Sequence, residues 1–348
     1  MGLNDINIEF DEPLKVFFSG KVINGRVMID LSQEKKFRKI KLELVGRGEV
    51  EWSEQKTVTR NRSTRTETKY YSNSEQYFKQ EVVLHQGPNL PPGLHNLPFS
   101  LQLPPNLPCS YEGEYGNVRY YVKADIVRDW KWNHKVKQHI MVNGILDLNL
   151  YPSAQAPGHS TDHKKLCCLC CKSGPITATI HSNRSGYVPG EMIGFNAEVD
   201  NLSNRDMKSS FLNLVEVVTY RATTKSRTER RVVAEIRRGM IRPGTSHYWE
   251  GVVMRVPAVP PTGLAGKCSI IDVQYSLEFH VDPSGPSFDL VVRIPVIVGT
   301  IPLTQYIPTF APPPPLDNVA PPPSYESEFP GGFSHPSAPS APDLEQFK

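Results

Sequence analysis

The sequence predicts an all-β protein: two β-sandwich domains in tandem, followed by a disordered proline-rich carboxy-terminal tail. Three observations predict it. Short β-branched and aromatic runs alternate with polar residues, an internal repeat recurs at a spacing of about 150 residues, and 13 of the 32 prolines fall from Pro302 onward.

The strands come first. Lys15-Val-Phe-Phe18, Lys39-Ile-Lys-Leu-Glu-Leu-Val45 and Arg119-Tyr-Tyr-Val-Lys-Ala-Asp-Ile126 are short, rich in residues that fit a pleated surface, and punctuated by Gly, Pro and Asn. No segment keeps a helical apolar period for long, so little helix is expected. The repeat orders these strands. Ser19-Gly-Lys-Val-Ile-Asn-Gly25 answers to Ser185-Gly-Tyr-Val-Pro-Gly190, and Lys39 to Val45 answers to Phe211 to Tyr220. Phe99-Ser-Leu-Gln-Leu-Pro-Pro105 answers to Val252-Val-Met-Arg-Val-Pro257, and Val118 to Val122 to Val273 to Leu277. The expected division is a sandwich over 6–151, a linker over 152–174, a second sandwich over 175–302 and a tail over 303–348.

Composition narrows the class. The chain carries a net charge of +3, but from Thr300 on five acidic residues face Lys348 alone, which leaves the body at +7. That balance suits acidic phospholipids or phosphorylated peptides and is too weak to argue for nucleic acid. The first residues lack a basic region followed by an apolar run, and Ile6 stands where a myristoylation motif wants Ser or Thr, so neither a secretory signal nor that lipid anchor is expected. The most apolar run, Leu290 to Val298, is interrupted by Arg293 and Pro295 and is too short to span a bilayer. A cytoplasmic chain follows, and with it six reduced cysteines in place of a disulfide framework. Phosphate loops, nucleophile elbows and His-Glu-x-x-His are absent from the sequence, so no catalytic residue and no cofactor is expected.

The tail cannot bury enough apolar area to offset about 1–2 kcal/mol of backbone entropy per residue. Within it, Pro322-Pro323-Ser324-Tyr325 is preset toward polyproline II, so Pro322 and Pro323 suit an aromatic groove of the WW type and Tyr325 an adjoining pocket. Two cation-rich segments occupy matching places in the repeat: Arg60, Arg62 and Arg65 in the first, and Lys225, Arg227, Arg230 and Arg231 in the second. They are candidates for one anion- or cargo-binding track, or else ordinary charged edges and loops. Cys167-Cys168-Leu169-Cys170-Cys171 follows Lys164 and Lys165 and admits three readings: palmitoylation of Cys167, Cys168, Cys170 and Cys171, a zinc site of His159, His163, Cys167 and Cys170, or plain thiols.

The stretch Tyr111-Glu-Gly-Glu-Tyr-Gly-Asn-Val-Arg-Tyr-Tyr-Val-Lys-Ala124 resembles the signature of the arrestin amino-terminal sandwich. Val273 to Leu277 and Arg293-Ile-Pro-Val-Ile-Val-Gly-Thr-Ile-Pro302 resemble the end of its carboxy-terminal sandwich, and the tyrosine peptide in the tail is similar to that of the alpha-arrestins. The resemblance covers about residues 6–302. It implies a non-enzymatic adaptor that binds membrane receptors or transporters and recruits WW-domain ubiquitin ligases of the HECT type, promoting endocytosis and endosomal sorting. It also implies peripheral association with the plasma membrane and endosomes. An alternative is a redox regulator, because Gly266-Lys-Cys-Ser-Ile-Ile271 resembles the segment of the thioredoxin-interacting protein whose cysteine pairs with thioredoxin, which makes Cys268 a candidate. A structural endosomal scaffold is the other. Arrestins that sense phosphorylated receptors carry a buried ionic switch, and its members are not recognisable in this sequence.

Overall fold

Alternation of burial along each strand builds the architecture. In β3 (Val22–Leu31) every second residue from Ile23 is buried, and the same pattern runs through β12 (Met192–Asn201). An extended strand turns successive side chains to opposite faces, so each such strand supplies one apolar face to a core. The structure, a computed structural model, describes residues 3–60, 63–87, 89–128, 133–166 and 173–304.

The first sandwich holds β1 (Leu3–Phe10), β2 (Val16–Phe18), β3, β4 (Lys39–Arg60), β5 (Ser63–Gln86), β6 (Gly93–Gln102), β7 (Gly116–Val127) and β8 (His134–Asn143). They form two sheets, β1-β3-β6 and β2-β8-β7-β4-β5. The second sandwich holds β9 (Gly158–Lys165), β10 (Pro175–Ser182), β11 (Gly186–Tyr187), β12, β13 (Met207–Arg221), β14 (Ser226–Arg238), β15 (Thr245–Arg255), β16 (Ile271–Pro283) and β17 (Leu290–Val298). Its sheets are β9-β10-β12-β15 and β11-β17-β16-β13-β14. Each strand β1 to β8 therefore has its counterpart nine labels later, down to the parallel pairing of β2 with β8 and of β11 with β17. The repeat in the sequence is one topology used twice.

The addition is β9. The stretch expected to be a linker instead contains a one-turn helix, Pro152–Gln155, and then β9, which pairs in register with β10 from Gly158 opposite Ser182 to Lys165 opposite Pro175. The sequence hides β9 because Gly158-His-Ser-Thr-Asp-His-Lys-Lys165 is almost wholly polar, as an edge strand with one partner is free to be.

One apolar core runs through both sandwiches. Ile23, Val27 and Ile29 face Ile40, Leu42, Leu44 and Val122 in the first, and Leu212, Leu214, Trp249, Leu277 and Phe279 fill the second, all essentially inaccessible to water. Full burial of each such side chain contributes about 1.5–3 kcal/mol. A smaller cluster of Cys109, Leu146, Leu148, Ala154, Ala265 and Leu303 closes the crossing point. There the end of the second sandwich clasps the connecting segment: the Leu146 N–H donates to Thr300 Oγ1 at 2.8 Å, and Asn149 Nδ2 donates to the Pro302 carbonyl at 2.9 Å.

Candidate functional site

The two sandwiches meet along a polar and aromatic seam. The short strand Tyr111–Glu112 and the turn after it bring Tyr111 Oη to 3.2 Å from Tyr220 Oη at the end of β13. Tyr115 packs edge-on against Tyr220, takes a hydrogen bond from Arg227 at 2.7 Å, and lies under that guanidinium, 3.9 Å from the ring centre. Further out, the Thr223 N–H donates to the Ser72 carbonyl, and Lys225 Nζ reaches Glu54 at 2.7 Å. Three adjoining hollows of about 580, 590 and 650 Å³ share Glu112 in their linings.

Close approach at this seam demands small residues. A side chain at Gly113 would begin 2.3 Å from Tyr220 Oη, and one at Gly266 would begin 2.4 Å from the Pro108 nitrogen. The segment before Gly266 carries three successive residues in the left-handed region, Gly263, Leu264 and Ala265, with φ of 57°, 58° and 54°. Non-glycine residues there are strained by about 1–3 kcal/mol each and persist only where neighbours impose the conformation. Here Leu264 is wholly buried and its carbonyl accepts from the Cys109 N–H at 2.8 Å.

Five of the seven candidate cations, Arg65, Lys225, Arg227, Arg230 and Arg231, have described side chains, and each meets a partner of its own. Arg60 ends β4 and Arg65 lies in β5, at the far end of a two-stranded ribbon that extends beyond Val50, the last residue of β4 paired with β7. Arg62 lies outside the described residues, and Arg65 is paired with Glu67. In the second sandwich, neighbouring residues of β14 point to opposite faces. Arg230 pairs with Glu278, which also accepts from Arg293 at 3.2 Å, whereas Arg231 pairs with Glu216 at 2.8 Å, and Glu216 accepts from Tyr275 Oη at 3.0 Å. Lys225 and Arg227 are held by the first sandwich, as above. Arg65, Lys225, Arg227, Arg230 and Arg231 are thus joined to partners within the protein.

Cys268 is half-buried at the seam. Its Sγ accepts from Tyr77 Oη at 3.2 Å and from the Ile271 N–H at 3.4 Å, yet burial outweighs these bonds and raises the thiol above its ordinary pKa. Such a thiol is less available as a thiolate. Cys109 is buried and likewise raised, with Gly144 N–H donating to its sulfur at 3.0 Å. Cys167, Cys168, Cys170 and Cys171 lie outside the described residues, as do Pro322, Pro323 and Tyr325. His159 and His163 stand four residues apart on β9, a Cα separation of about 13 Å in a strand, and the ring near His159 is that of His181, at 6.3 Å. That spacing does not provide the convergence of a tetrahedral zinc site, whose donors sit about 2 Å from the ion. Among the described residues there is no group of three or more His, Cys, Asp or Glu placed to hold a metal ion, and no helix long and apolar enough to cross a membrane.

Sequence reasoning missed the carboxylates. Glu43, Glu216 and Glu278, in β4, β13 and β16, are each 5 % exposed or less. A buried carboxylate is retained only with partners, and most of these partners are supplied by neighbouring strands. Burial raises the Glu278 pKa, but Arg230, Ser276 and Arg293 more than reverse this and hold it below the ordinary range. Glu229 is the opposite case: burial and then Glu114, from the first sandwich, push it up.

Comparison with known proteins agrees with this geometry. The domain described as "Arrestin (or S-antigen), N-terminal domain" matches residues 6–149, and "Arrestin (or S-antigen), C-terminal domain" matches 172–303. β9 falls between them. Arrestin domain-containing protein 17 of Caenorhabditis elegans is 33% identical over 86% of this chain and 71% of its own length. Arrestin domain-containing protein 4 of Homo sapiens is 31% identical over 85% of this chain and 71% of its own, and arrestin domain-containing protein 1 of Rattus norvegicus is 28% identical over 83% and 63%. With two arrestin sandwiches joined through a continuous core and these relatives spanning both, the chain belongs to the arrestin domain-containing proteins, the alpha-arrestins.

Proposed function

We propose that the chain is a non-enzymatic adaptor at the cytoplasmic face of the plasma membrane and endosomes. Its sandwiches engage a receptor or transporter, and Pro322, Pro323 and Tyr325 bring a WW-domain HECT-type ubiquitin ligase to that cargo for endocytosis and sorting. The observation that carries the reading is the position of Pro322-Pro323-Ser324-Tyr325, which lies beyond residue 303, where the second arrestin match ends. A peptide outside both domains is not needed for their cores. The hollows around Tyr111–Glu112 supply the concave, mixed aromatic and charged surface that suits a cargo segment.

A single such peptide binds modestly, so ligase capture is strengthened when several adaptors share one membrane. The reading is tested by capture from cytosol with the intact protein and with Tyr325→Ala, scored by mass spectrometry for ligases with WW domains. Loss of those ligases in the variant is the expected result. Their persistence in the variant, or their absence from both samples, overturns the proposal.

A further inference from the structure

The hollow of about 590 Å³ at the seam is walled by acids from both sandwiches: Glu112 and Glu114 from the first, Glu216 and Glu229 from the second. Glu112 and Glu216 are matched by cations, Arg119 at 2.7 Å and Arg231 at 2.8 Å. Glu114 and Glu229 are not, for neither has an ion pair among the described residues. Arg230, which also lines the hollow, pairs with Glu278. Arg227, two residues from Glu229 on β14, is committed to Tyr115, donating to its Oη at 2.7 Å with the guanidinium 3.9 Å from the ring centre.

The fold brings the two unmatched acids together. Val218 of β13 stands opposite Glu229 of β14, so Glu229 and Tyr220 share one face of this strand pair. The turn of the first sandwich lies against that face: Gly113 abuts Tyr220, whose Oη is 3.2 Å from Tyr111 Oη. Glu114 and Glu229 there come within hydrogen-bonding reach of each other, with Tyr115 Oη donating to Glu114 and the Tyr220 hydroxyl beside Glu229. An ionised carboxylate has no donor, so two can meet in this way only if one carries a proton, and two bare charges at that distance repel. Tyr115 and then Glu229 hold Glu114 below its ordinary range. Burial and then Glu114 push Glu229 above its own, against Tyr220 and Arg227, which places the shared proton on Glu229. The other groups facing the pair do not exchange protons near neutrality. Burial raises Tyr111 and Tyr220, the bond to Glu114 raises Tyr115, and Arg227, Arg230 and Arg231 stay charged.

We propose that Glu114 and Glu229 form a proton-linked latch between the two sandwiches, closed while the pair shares one proton and released when that proton leaves. The pair holds the proton more tightly with the turn against β14 than with the two apart. The closed seam is therefore favoured at acid pH and loses that advantage as pH rises through the folded pKa. The window lies above 4.5, the ordinary value from which Glu229 is raised. The clasp of Leu146 on Thr300 and of Asn149 on Pro302 contains no titrating group and keeps the sandwiches joined throughout. Release thus loosens the end of the seam at β13 and β14 and widens the hollow without parting the domains. The latch goes beyond the adaptor reading and does not rest on it.

The test is hydrogen exchange in the full chain between pH 5 and pH 8, followed at the Thr223 amide, which donates across the seam to the Ser72 carbonyl at 3.2 Å. Exchange is expressed as protection relative to the intrinsic rate at each pH. Wild-type protection is expected to fall as pH rises, by about tenfold for each unit by which closing the seam raises the pKa of the shared proton. Glu229→Gln and Glu114→Gln each put an amide N–H where the proton was, and each is expected to hold Thr223 at its acid-pH protection over the whole range. Glu114 is exposed, so its variant leaves the core intact. The control Glu250→Gln, on β15, is expected to fall as the wild type does. A wild-type profile that stays level overturns the proposal, and so does either glutamine variant of the pair that still falls with pH or is unprotected at pH 5. The measurement uses neither cargo nor ligase, so its failure is distinct from failure of Tyr325-dependent ligase capture.

Discussion

At the scale of residues, the side chains that decide behaviour are the buried carboxylates. Glu43 stands on the outer face of β4 among Lys41, Lys79 and Lys123. Burial alone would raise its pKa, but the hydrogen bonds from Lys41 and Lys123 lower it from 4.5 to about 2. The folded value lies below the unfolded one, so its contribution to stability is full above pH 4.5 and is lost as pH falls toward about 2. Glu43→Gln leaves three ammonium groups without their shared partner and is expected to cost about 1–3 kcal/mol at neutral pH. Urea melts from pH 7 down to pH 2 check this: the wild type loses stability through the acid range, and the variant, already less stable, loses less. An identical pH dependence in both would refute the assignment. None of these acids was singled out from the sequence. Apart from Lys41, their charged partners come from other strands, so neither Lys123 for Glu43 nor Arg231 for Glu216 was legible from spacing.

At the scale of elements, alternation of side chains was enough to place the strands, and the repeat placed them in order. Lys39 to Val45 and Phe211 to Tyr220, matched in the sequence, are the corresponding strands β4 and β13. β9 escaped because a polar edge strand has no apolar face to advertise. The two arginine-rich segments lie in corresponding elements, and within the second a strand sends Arg230 and Arg231 to opposite faces, which spacing in the sequence did not reveal. The turn at Gly263 to Gly266 was invisible for another reason: its conformation is imposed by contacts with Leu107, Pro108 and Cys109 of the other sandwich. Gly266→Ala would drive a methyl group into the Leu107–Pro108 backbone and is expected to destabilise the protein by about 1–3 kcal/mol. Hydrogen exchange should then rise at the Cys109 amide, which donates to Leu264, while amides inside β3 and β12 keep their ranking. Unchanged exchange at Cys109 would show that the turn yields without cost.

At the scale of the whole molecule, the question is whether two sandwiches behave as one body. Domain count and the all-β class were legible because each half repeats a complete set of strand signals. How the halves are joined was not, because the joining residues are scattered: Leu146 and Leu148 of the connection, Cys109 of the first sandwich, and Ala265 and Leu303 of the second gather only when both are folded. The apolar core is also continuous from one sandwich to the other. A shared core and a clasped connection mean that unfolding either half exposes apolar surface on its neighbour, so a single calorimetric transition is expected, with calorimetric and van't Hoff enthalpies in agreement. Leu148 is fully buried at the crossing point, and Leu148→Ala removes its contacts without touching either sheet. The substitution is expected to cost about 2–5 kcal/mol and to divide the transition in two, as the less stable sandwich is released from the other. If the variant melts lower but still in one step, the coupling resides in the Tyr111–Tyr220 and Lys225–Glu54 seam instead, and Glu54→Gln in the Leu148→Ala background should then complete the separation.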